Sequence, residues 1–344
     1  MDESRLKELC ACFPSLHVLV VGDFFLDKYL ILERAQSEIS IETGLEAYQV
    51  TAVRTSPGAA GTVVSNLRAL GAGVQVLGVI GDTGEGYELQ RDFAMMDVDQ
   101  SLLMVRPDLF TPTYTKPMMT ELDGTVHELN RLDIKNRSPL PVEEEALLIA
   151  RLRKAVPEAG AVIVSDYVQA ADCGTVTTRV REEIAALARA YPDKVFTADS
   201  RTRIGLYRGV IIKSNLAEAW GAFHEDEPPE SPPLEELARA GQAMARRNGR
   251  PVFITLGPEG MLVCSEQGST HVPTVHETGP IDPVGAGDSA LAGLTLALAA
   301  GATLEEAALV GNLAAAVTIR KLGTTGTASP AELLERYRHL DGNS

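Results

Sequence analysis

The sequence predicts an α/β fold: a central, largely parallel sheet flanked by helices, with a small β sheet over it. From residue 142 onward, helical patterns alternate with short apolar runs, which is typical of parallel βα units. Polar residues follow several of these runs, and the carboxyl ends of parallel strands meet at one edge of a sheet. A glycine-rich turn near residue 285 leads directly into a long apolar helix. We therefore expect one ligand-binding cleft along that edge.

Composition limits the class of partner. The chain has 344 residues, of which 45% are hydrophobic, and we expect one domain over residues 1–344. Its formal charge is −16, which argues against nucleic acid and anionic membranes as partners but leaves local phosphate sites open. The four cysteines lack metal-binding spacing, and no N-terminal signal is visible. These features predict reduced thiols and a cytoplasmic location.

The first apolar run, residues 17–21, predicts a buried strand that ends in Gly22-Asp23. Because ligands of open α/β sheets bind beyond strand ends, Asp23 and Asp27 are candidates to hold substrate hydroxyls. The alternative is an ordinary solvated loop.

Two β-leaning stretches with polar turns, about 29–56 and 108–132, are predicted to pair into a small lid. The alternative is two unrelated surface hairpins. We also expect the lid to form a homodimer contact, because a small isolated sheet cannot bury its own apolar side chains.

The remaining elements follow from hydrophobic periodicity and from glycine and proline stops. A small-residue helix begins after Pro57 and stops at Gly71, and residues 225–233 form an acidic, proline-rich loop. Further helices are predicted at 85–96, 142–155, 174–190, 286–300, 303–321 and 330–338, and strands at 74–79, 161–165, 194–198, 209–212, 251–256 and 261–264.

The turn Asp-Pro-Val-Gly-Ala-Gly-Asp at 282–288 carries the chemistry. Gly285 and Gly287 permit a tight bend, and the N–H groups of the following helical turn bind an anion. Asp288 lies in the same turn, and a base beside an anion site suits phosphoryl transfer to a hydroxyl. The alternative is that Asp288 merely caps a helix.

Together these segments resemble the ribokinase-like (PfkB) carbohydrate kinases from Val18 to about Ser329. The resemblance implies a three-layer αβα sandwich, ATP and Mg²⁺ as cofactors, and Asp288 as the catalytic base. It implies an anion hole formed by Gly285, Ala286 and Gly287. The implied cofactor-side residues are Lys213, Asn215, Glu218, Thr255, Gly257, Gly260 and Asp282, with Glu218 holding Mg²⁺ through water. The implied substrate-side residues are Asp23, Asp27, Gly58, Thr62, Asn66, Lys116 and Arg131.

Finer features resemble the heptose 7-phosphate kinases, the kinase half of the bifunctional ADP-heptose synthesis proteins. They are the stretches at 22–29, 115–116, 131–133, 165–167 and 321–324. The resemblance implies a stand-alone kinase that acts on the anomeric hydroxyl. The substrate phosphate requires cations, for which Lys116, Arg201 and Arg203 are the candidates.

Three residues depart from the family pattern on the sugar side: Ala59, Thr62 and Gln169. They leave two alternatives open. One is a catalytically weak binding regulator on the same fold, and the other is a kinase for another sugar or a nucleoside. ADP release with a panel of sugars discriminates among them.

Overall fold

The computed structural model describes residues 1–224, 232–277, 279–323 and 325–341. The predicted acidic loop at 225–233 therefore lies mostly outside the described residues, as does Thr324.

Strands and helices alternate over most of the described chain. In chain order the strands are β1 (His17–Gly22), β2 (Phe24–Glu33), β3 (Glu38–Ile39), β4 (Glu46–Ala47), β5 (Val50–Ala59), β6 (Gly73–Leu77), β7 (Val79–Gly81), β8 (Met104–Arg106), β9 (Thr113–Thr120), β10 (Val126–Glu128), β11 (Leu132–Ile134), β12 (Ala161–Asp166), β13 (Val195–Ser200), β14 (Ile211–Asn215), β15 (Val252–Thr255), β16 (Met261–Cys264) and β17 (Ser269–Val272). The helices are α1 (Glu3–Cys12), α2 (Ala60–Ala69), α3 (Gly84–Met95), α4 (Val142–Ala155), α5 (Thr178–Ala190), α6 (Leu216–Gly221), α7 (Leu234–Asn248), α8 (Ala286–Ala299), α9 (Leu304–Thr318) and α10 (Pro330–Asp341).

The central sheet has eight strands in the order β17-β16-β15-β14-β13-β12-β1-β6. Every neighbouring pair from β6 to β15 is parallel, whereas β15-β16 and β16-β17 are antiparallel. This arrangement confirms the predicted α/β class. The strand ends at β1, β12, β13 and β14 therefore lie side by side, and they carry the polar residues that the sequence places after apolar runs.

Successive side chains of β1 enter two different cores. Val18 and Val20 pack with α2, α8 and α9 on one face of the sheet. Leu19 and Val21 pack with α4, α5 and α7 on the other face. Because side chains alternate across a strand, a run that is apolar at every position needs a helix layer on both faces. The result is the expected three-layer sandwich.

A second sheet, which we call the small sheet, joins the two predicted β stretches. Its order is β10-β9-β2-β5, with β11 also paired to β9. The central pair β2-β9 is parallel, with Leu26 opposite Thr113. The small sheet starts at Phe24, five residues before the predicted boundary at residue 29. The added residues Phe24 to Leu26 are buried, and Phe24 packs edge-on against Phe93. Asp27 consequently lies within a strand and not in a loop.

Other boundaries also differ from the prediction. The helix expected from residue 174 begins only at Thr178, because the Thr177 side chain caps it by accepting from the Val180 N–H. Gly174 and Thr175 instead precede the helix and contact the Asp23 carboxylate. Helices α1, α6 and α7 and strand β17 are not predicted from the sequence.

Across the residues described, we find no helix that combines the length and the apolar character needed to cross a bilayer.

Candidate active site

A cavity of about 920 Å³ lies between the carboxyl edge of the central sheet and the small sheet. Its walls include residues from the ends of β1 and β12, from β2 and β9, and from the first turn of α8. Among the residues that line it are Asp27, Thr62, Lys116, Arg131, Tyr167, Arg201, Gly285 and Asp288. The cavity therefore brings the predicted sugar-side residues of the small sheet to the predicted catalytic turn.

The N-terminus of α8 forms the floor of the cavity. Its N-cap, Gly285, has φ of 82°, and a Cβ there would lie 2.8 Å from the Thr325 Cγ2 atom. No side chain makes a capping hydrogen bond to this first turn, whose one acidic residue is Asp288, so the helix dipole faces the cavity. A Cβ on Gly287 would lie 2.8 Å from the Lys213 ammonium nitrogen. The turn thus combines helix N–H groups with a nearby cation, which is the arrangement expected of an anion hole.

Asp288 is half-buried in the same turn, and its Oδ1 accepts a hydrogen bond from the Tyr167 hydroxyl. Burial raises the pKa of Asp288 to about 6, although the Tyr167 hydrogen bond and the Lys213 charge oppose that rise. A carboxyl with this pKa is mostly ionised at neutral pH yet basic enough to take a proton. The geometry suits the role of general base.

Lys213 and Asp199 form a buried ion pair beside Asp288, with 2.7 Å between Nζ and Oδ2. Burial acts to lower the pKa of Lys213, but the carboxylates of Asp199 and Glu218 outweigh it and raise that pKa. Lys213 therefore remains a cation, and its ammonium group reaches the first turn of α8.

Asn215 and Glu218 form a reciprocal capping box at the start of α6. The Asn215 Oδ1 accepts from the Glu218 N–H, and the Glu218 Oε2 accepts from the Asn215 N–H, each at 2.8 Å. Burial and the neighbouring Asp199 raise the pKa of Glu218 to about 7. At least one oxygen of Glu218 therefore caps the helix, and burial together with Asp199 outweighs the nearby cations Lys213 and Arg201 in setting the pKa of Glu218. A bound cation would add positive charge there.

The predicted nucleotide-side turn lies next to this capping box, because Thr255 is paired with Asn215 across β14 and β15. The Thr255 hydroxyl donates to the Ser214 carbonyl at 3.3 Å. Gly260 has φ of 91°, and a Cβ there would lie 2.4 Å from the Val272 carbonyl oxygen, so the turn requires glycine. Gly257 also has positive φ, but it faces open space.

Asp282 shapes the segment that leads into α8. Its Oδ1 accepts from the Val284 N–H at 3.1 Å, and its own N–H donates to the Ile319 carbonyl at 2.8 Å. These contacts attach the turn to the end of α9. Gly285 then lies against the side chains of Thr62 and Thr325.

On the small sheet, Asp27 and Lys116 form an ion pair with a separation of 3.4 Å. A Cβ on Gly58 would lie 3.1 Å from the Asp27 carboxyl carbon, so Gly58 packs directly on that carboxylate. Lys116 also contacts the Tyr29 hydroxyl at 3.2 Å. Asp27, Gly58 and Lys116 therefore form one cluster facing the cavity.

Further cations line the cavity near Arg131. The Arg131 guanidinium forms a two-point ion pair with Asp133 and lies 4.1 Å from the centre of the Tyr114 ring. Lys135 and Arg137 line the same wall and are not predicted from the sequence. Within the described parts of the chain, Arg137 and Arg201 have no carboxylate at ion-pair distance. A single cation in a polar loop carries no local sequence signal, so the sequence alone does not identify Arg137 as a site residue.

Three predicted assignments fit the structure poorly. Asp23 accepts hydrogen bonds from the N–H groups of Tyr167 and Val168 at 2.9 Å and of Thr175 at 2.7 Å, so it fits a positioning role better than a sugar ligand. Asn66 is fully buried, and its amide donates to the Thr62 carbonyl at 3.0 Å. The candidate phosphate cation Arg203 instead pairs with buried Asp166 at 3.1 Å. Asn66 and Arg203 thus make their hydrogen bonds to other parts of the protein, although the Asn66 Oδ1 atom has no partner among the described residues, and their assignment to the substrate stays a prediction.

The family departures all lie at the cavity. Thr62, Ala59 and Gln169 line it. Ala59 has φ of 53° and ψ of −122°, a backbone conformation that L-residues rarely adopt and that glycine adopts readily.

A largely parallel sheet, a helix that begins at a glycine turn beside a carboxylate, and a β sheet over the cavity are the arrangement expected of a sugar kinase. The chain belongs to the pfkB family of carbohydrate kinases, whose family model matches residues 17–332. The predicted family and the predicted enzyme class, a carbohydrate kinase, are thereby confirmed.

Among curated proteins, the chain is 31% identical to the bifunctional protein HldE of Geotalea uraniireducens over 347 residues, which spans 100% of this chain and 67% of that protein. It is 32% identical to HldE of Azorhizobium caulinodans over 312 residues, 89% of this chain and 61% of that protein.

Among solved structures, phosphofructokinase-2 of Escherichia coli in complex with potassium superposes with a TM-score of 0.69 at 19% identity, covering 95% of this chain and 99% of that one. Ribokinase of Arabidopsis thaliana complexed with ribose and ATP gives 0.66 at 16% identity, covering 93% and 98%. At these identities the two structures establish the fold.

Proposed function

We propose that the protein transfers the γ-phosphoryl group of ATP to a hydroxyl of a sugar phosphate, with a heptose 7-phosphate, phosphorylated at its anomeric hydroxyl, as the leading substrate. One observation carries the proposal: Asp288 lies in the uncapped first turn of α8, in a cavity that several cations also line. The similarity to HldE proteins supports the choice of sugar.

In the proposed reaction, ionised Asp288 takes the proton from the sugar hydroxyl as that oxygen attacks the γ-phosphorus. The new bond joins the sugar oxygen to phosphorus, and the bond from the γ-phosphorus to the β–γ bridging oxygen breaks, so that ADP leaves. The N–H groups from Gly285 to Asp288 hold the charge on the transferring group. The Lys213 ammonium, next to Gly287, adds to that stabilisation.

The nucleotide side is proposed around the capping box. Asn215 and Glu218 lie beside Thr255 and the turn that contains Gly257 and Gly260. We assign Glu218 to hold Mg²⁺ through water, since it is a half-buried carboxylate whose raised pKa would fall next to a cation. No cluster of three metal-binding side chains occurs among the described residues. Mg²⁺, when bound, neutralises negative charge on the nucleotide phosphates.

The sugar phosphate needs a cation far from Asp288, and Arg137 is our first assignment. It lines the cavity from the segment that follows β11, and among the described residues it lacks a carboxylate partner. A planar guanidinium binds two phosphate oxygens at once. Lys135 and Arg131 are nearby but already share Asp133, at 3.2 and 2.6 Å. In a chain with a charge of −16, this local excess of cations favours an anionic substrate.

The substrate assignment is tested by kcat/KM for heptose 7-phosphate, fructose 6-phosphate, ribose and unphosphorylated hexoses. We expect the heptose phosphate to be preferred. Preference for a neutral sugar by tenfold, about 1.4 kcal/mol of transition-state binding, would refute it. Absence of ADP release with every sugar would favour a binding regulator.

Arg137→Ala tests the phosphate contact. Losing a charged hydrogen bond of about 1.5–3 kcal/mol should raise KM for the phosphorylated sugar roughly tenfold to a hundredfold. The matched control is Arg153→Ala, which removes an exposed arginine paired with Glu183 on the far helices. Equal effects of the two substitutions would remove Arg137 from the site.

We also propose that the small sheet acts as a lid and contacts the small sheet of a second copy. Val50, Val53, Val126 and Leu132 are 47–62% exposed on it. The strands β5 and β10 end the sheet without a further neighbour among the described residues. Such edges and apolar side chains are stabilised by pairing with another sheet. A cytoplasmic location, consistent with four free cysteines, is part of the same proposal.

A further inference from the structure

The hydroxyl of Tyr167 connects two carboxylates at the floor of the cavity. It donates to Asp288 Oδ1, and it lies 3.3 Å from Asp199 Oδ2. A phenol has one proton to donate, and Asp199 Oδ2 already accepts from Lys213 at 2.7 Å. The Tyr167 proton is therefore available to Asp288.

The backbone of Tyr167 is fixed from the other side by Asp23. One carboxylate oxygen of Asp23 accepts from two consecutive N–H groups, those of Tyr167 and Val168, both at 2.9 Å. Its other oxygen accepts from Thr175 at 2.7 Å, and Gly174 packs against it. Asp23 thus secures both ends of the segment that carries Tyr167. The contacts form a continuous path from β1 to the first turn of α8.

We propose that Tyr167 is a positioning residue for phosphoryl transfer: it fixes the orientation of the Asp288 carboxylate and favours its ionised form, while Asp23 fixes Tyr167. The inference rests on the proposed role of Asp288 as base. Because Tyr167 occupies Oδ1, the second oxygen of Asp288 is the one left to meet a sugar hydroxyl.

The electrostatic surroundings agree with this role. The groups that act on Asp288 are Tyr167 itself, Lys213 on β14, Asp199 on β13 and Arg201 in the loop after β13, while Glu218 on α6 acts on Tyr167 and Lys213. Burial, followed by Asp199 and Asp288, raises the pKa of Tyr167 well above its usual value. The phenol therefore stays protonated and continues to donate throughout the pH range of the assay.

The first test is Tyr167→Phe, which removes only the hydroxyl. Loss of a hydrogen bond to the ionised form raises the pKa of Asp288, so activity should appear at higher pH. We expect the acid limb of kcat/KM to move upward by roughly 1 pH unit. Ionisation of the substrates affects the pH profiles of both proteins equally, so it does not contribute to the difference between them. An acid limb that stays in place would overturn the proposal.

The matched control is Tyr207→Phe. Tyr207 is another buried tyrosine, and its hydroxyl donates to Asp166 at 3.3 Å, away from Asp288. It should lower the melting temperature without moving the acid limb. Equal movement of the limb in both variants would reduce Tyr167 to a structural residue.

A second measurement needs no turnover. The carboxyl carbon of Asp288 in ¹³C-labelled protein is assigned by its loss in Asp288→Asn, and its titration is followed by NMR. The Tyr167→Phe substitution should raise its midpoint by a similar amount, and an unchanged midpoint would refute the contact. Failure of the proposed function would appear separately, as no turnover with any sugar.

If Tyr167→Phe does not fold, 3-fluorotyrosine is introduced at position 167 by amber suppression. A more acidic phenol donates a stronger hydrogen bond, so the Asp288 midpoint should fall below that of the unmodified protein. A midpoint that is unchanged or higher would overturn the proposal.

Discussion

Replacing Ala59 by glycine should make the protein more stable, although the substitution removes a methyl group. Ala59 ends β5 at φ 53° and ψ −122°, directly before the first residue of α2. A Cβ in such a conformation costs about 1–3 kcal/mol. Glycine carries no such cost, but it adds about 0.4–1 kcal/mol of conformational entropy to the unfolded chain. Taking about 2 kcal/mol for the strain, the difference is a gain of about 1 kcal/mol.

This gain is measured as the difference in the free energy of unfolding by urea between Ala59→Gly and the parent protein. The dependence of that free energy on urea concentration should be the same for both. For a chain of this size, the melting temperature should rise by about 2 °C. The matched control is Ala60→Gly, one residue along. Ala60 is fully buried at the first position of α2, where alanine is unstrained and glycine costs about 0.5–1 kcal/mol. The control should therefore be destabilised. If Ala59→Gly is no more stable than the parent, the backbone there is not strained in solution, and the reasoning fails.

The remaining predictions concern catalysis and assembly. Asp288→Asn should keep the fold and ATP binding but lower turnover by about 10²–10⁴-fold, and comparable turnover would remove it as the base. Since the pKa of Asp288 is about 6 and the base must be ionised, activity should rise as pH increases through that value, and a flat profile there would contradict the assignment. Glu218→Gln should raise the Mg²⁺ concentration for half-maximal rate, whereas an unchanged Mg²⁺ profile would leave Glu218 only its cap on α6. Light scattering at micromolar concentration should give a dimer, and a monomer would defeat the proposed contact.

The sequence predicts the start of α8 well because its parts are local. Gly285, Gly287 and Asp288 fall within four residues, so the glycine turn and the carboxylate at the start of an apolar helix are visible at neighbouring positions of the sequence. The layered α/β fold follows for a similar reason, since runs such as residues 17–22 are apolar at every position and need cover on both faces.

Contacts across the sheet could not be predicted in this way. Tyr167 and Asp288 are 121 positions apart, and Asp23 and Thr175 are 152 apart. They meet only because of the strand order β12-β1 and the position of α8 over the sheet. For the same reason Asp23 was expected to contact sugar: a strand-end carboxylate alone does not reveal that three backbone N–H groups will reach it.

The small sheet is joined to the central fold with almost no loop at two points. Only Asp23 separates β1 from β2, and α2 begins at the residue after β5 ends. If the small sheet acts as the proposed lid, its motion would require backbone rotation at Asp23 and at the Ala59–Ala60 junction, and Asp23 and Ala59 both line the cavity. Asp23 also holds the segment that bears Tyr167. Opening and closing of the proposed lid would therefore change the orientation of the Asp288 carboxylate as well as admit the sugar. Substitutions at Asp23 or at the Ala59–Ala60 junction should thus change kcat and KM together, because the same residues would take part both in lid motion and in positioning the base.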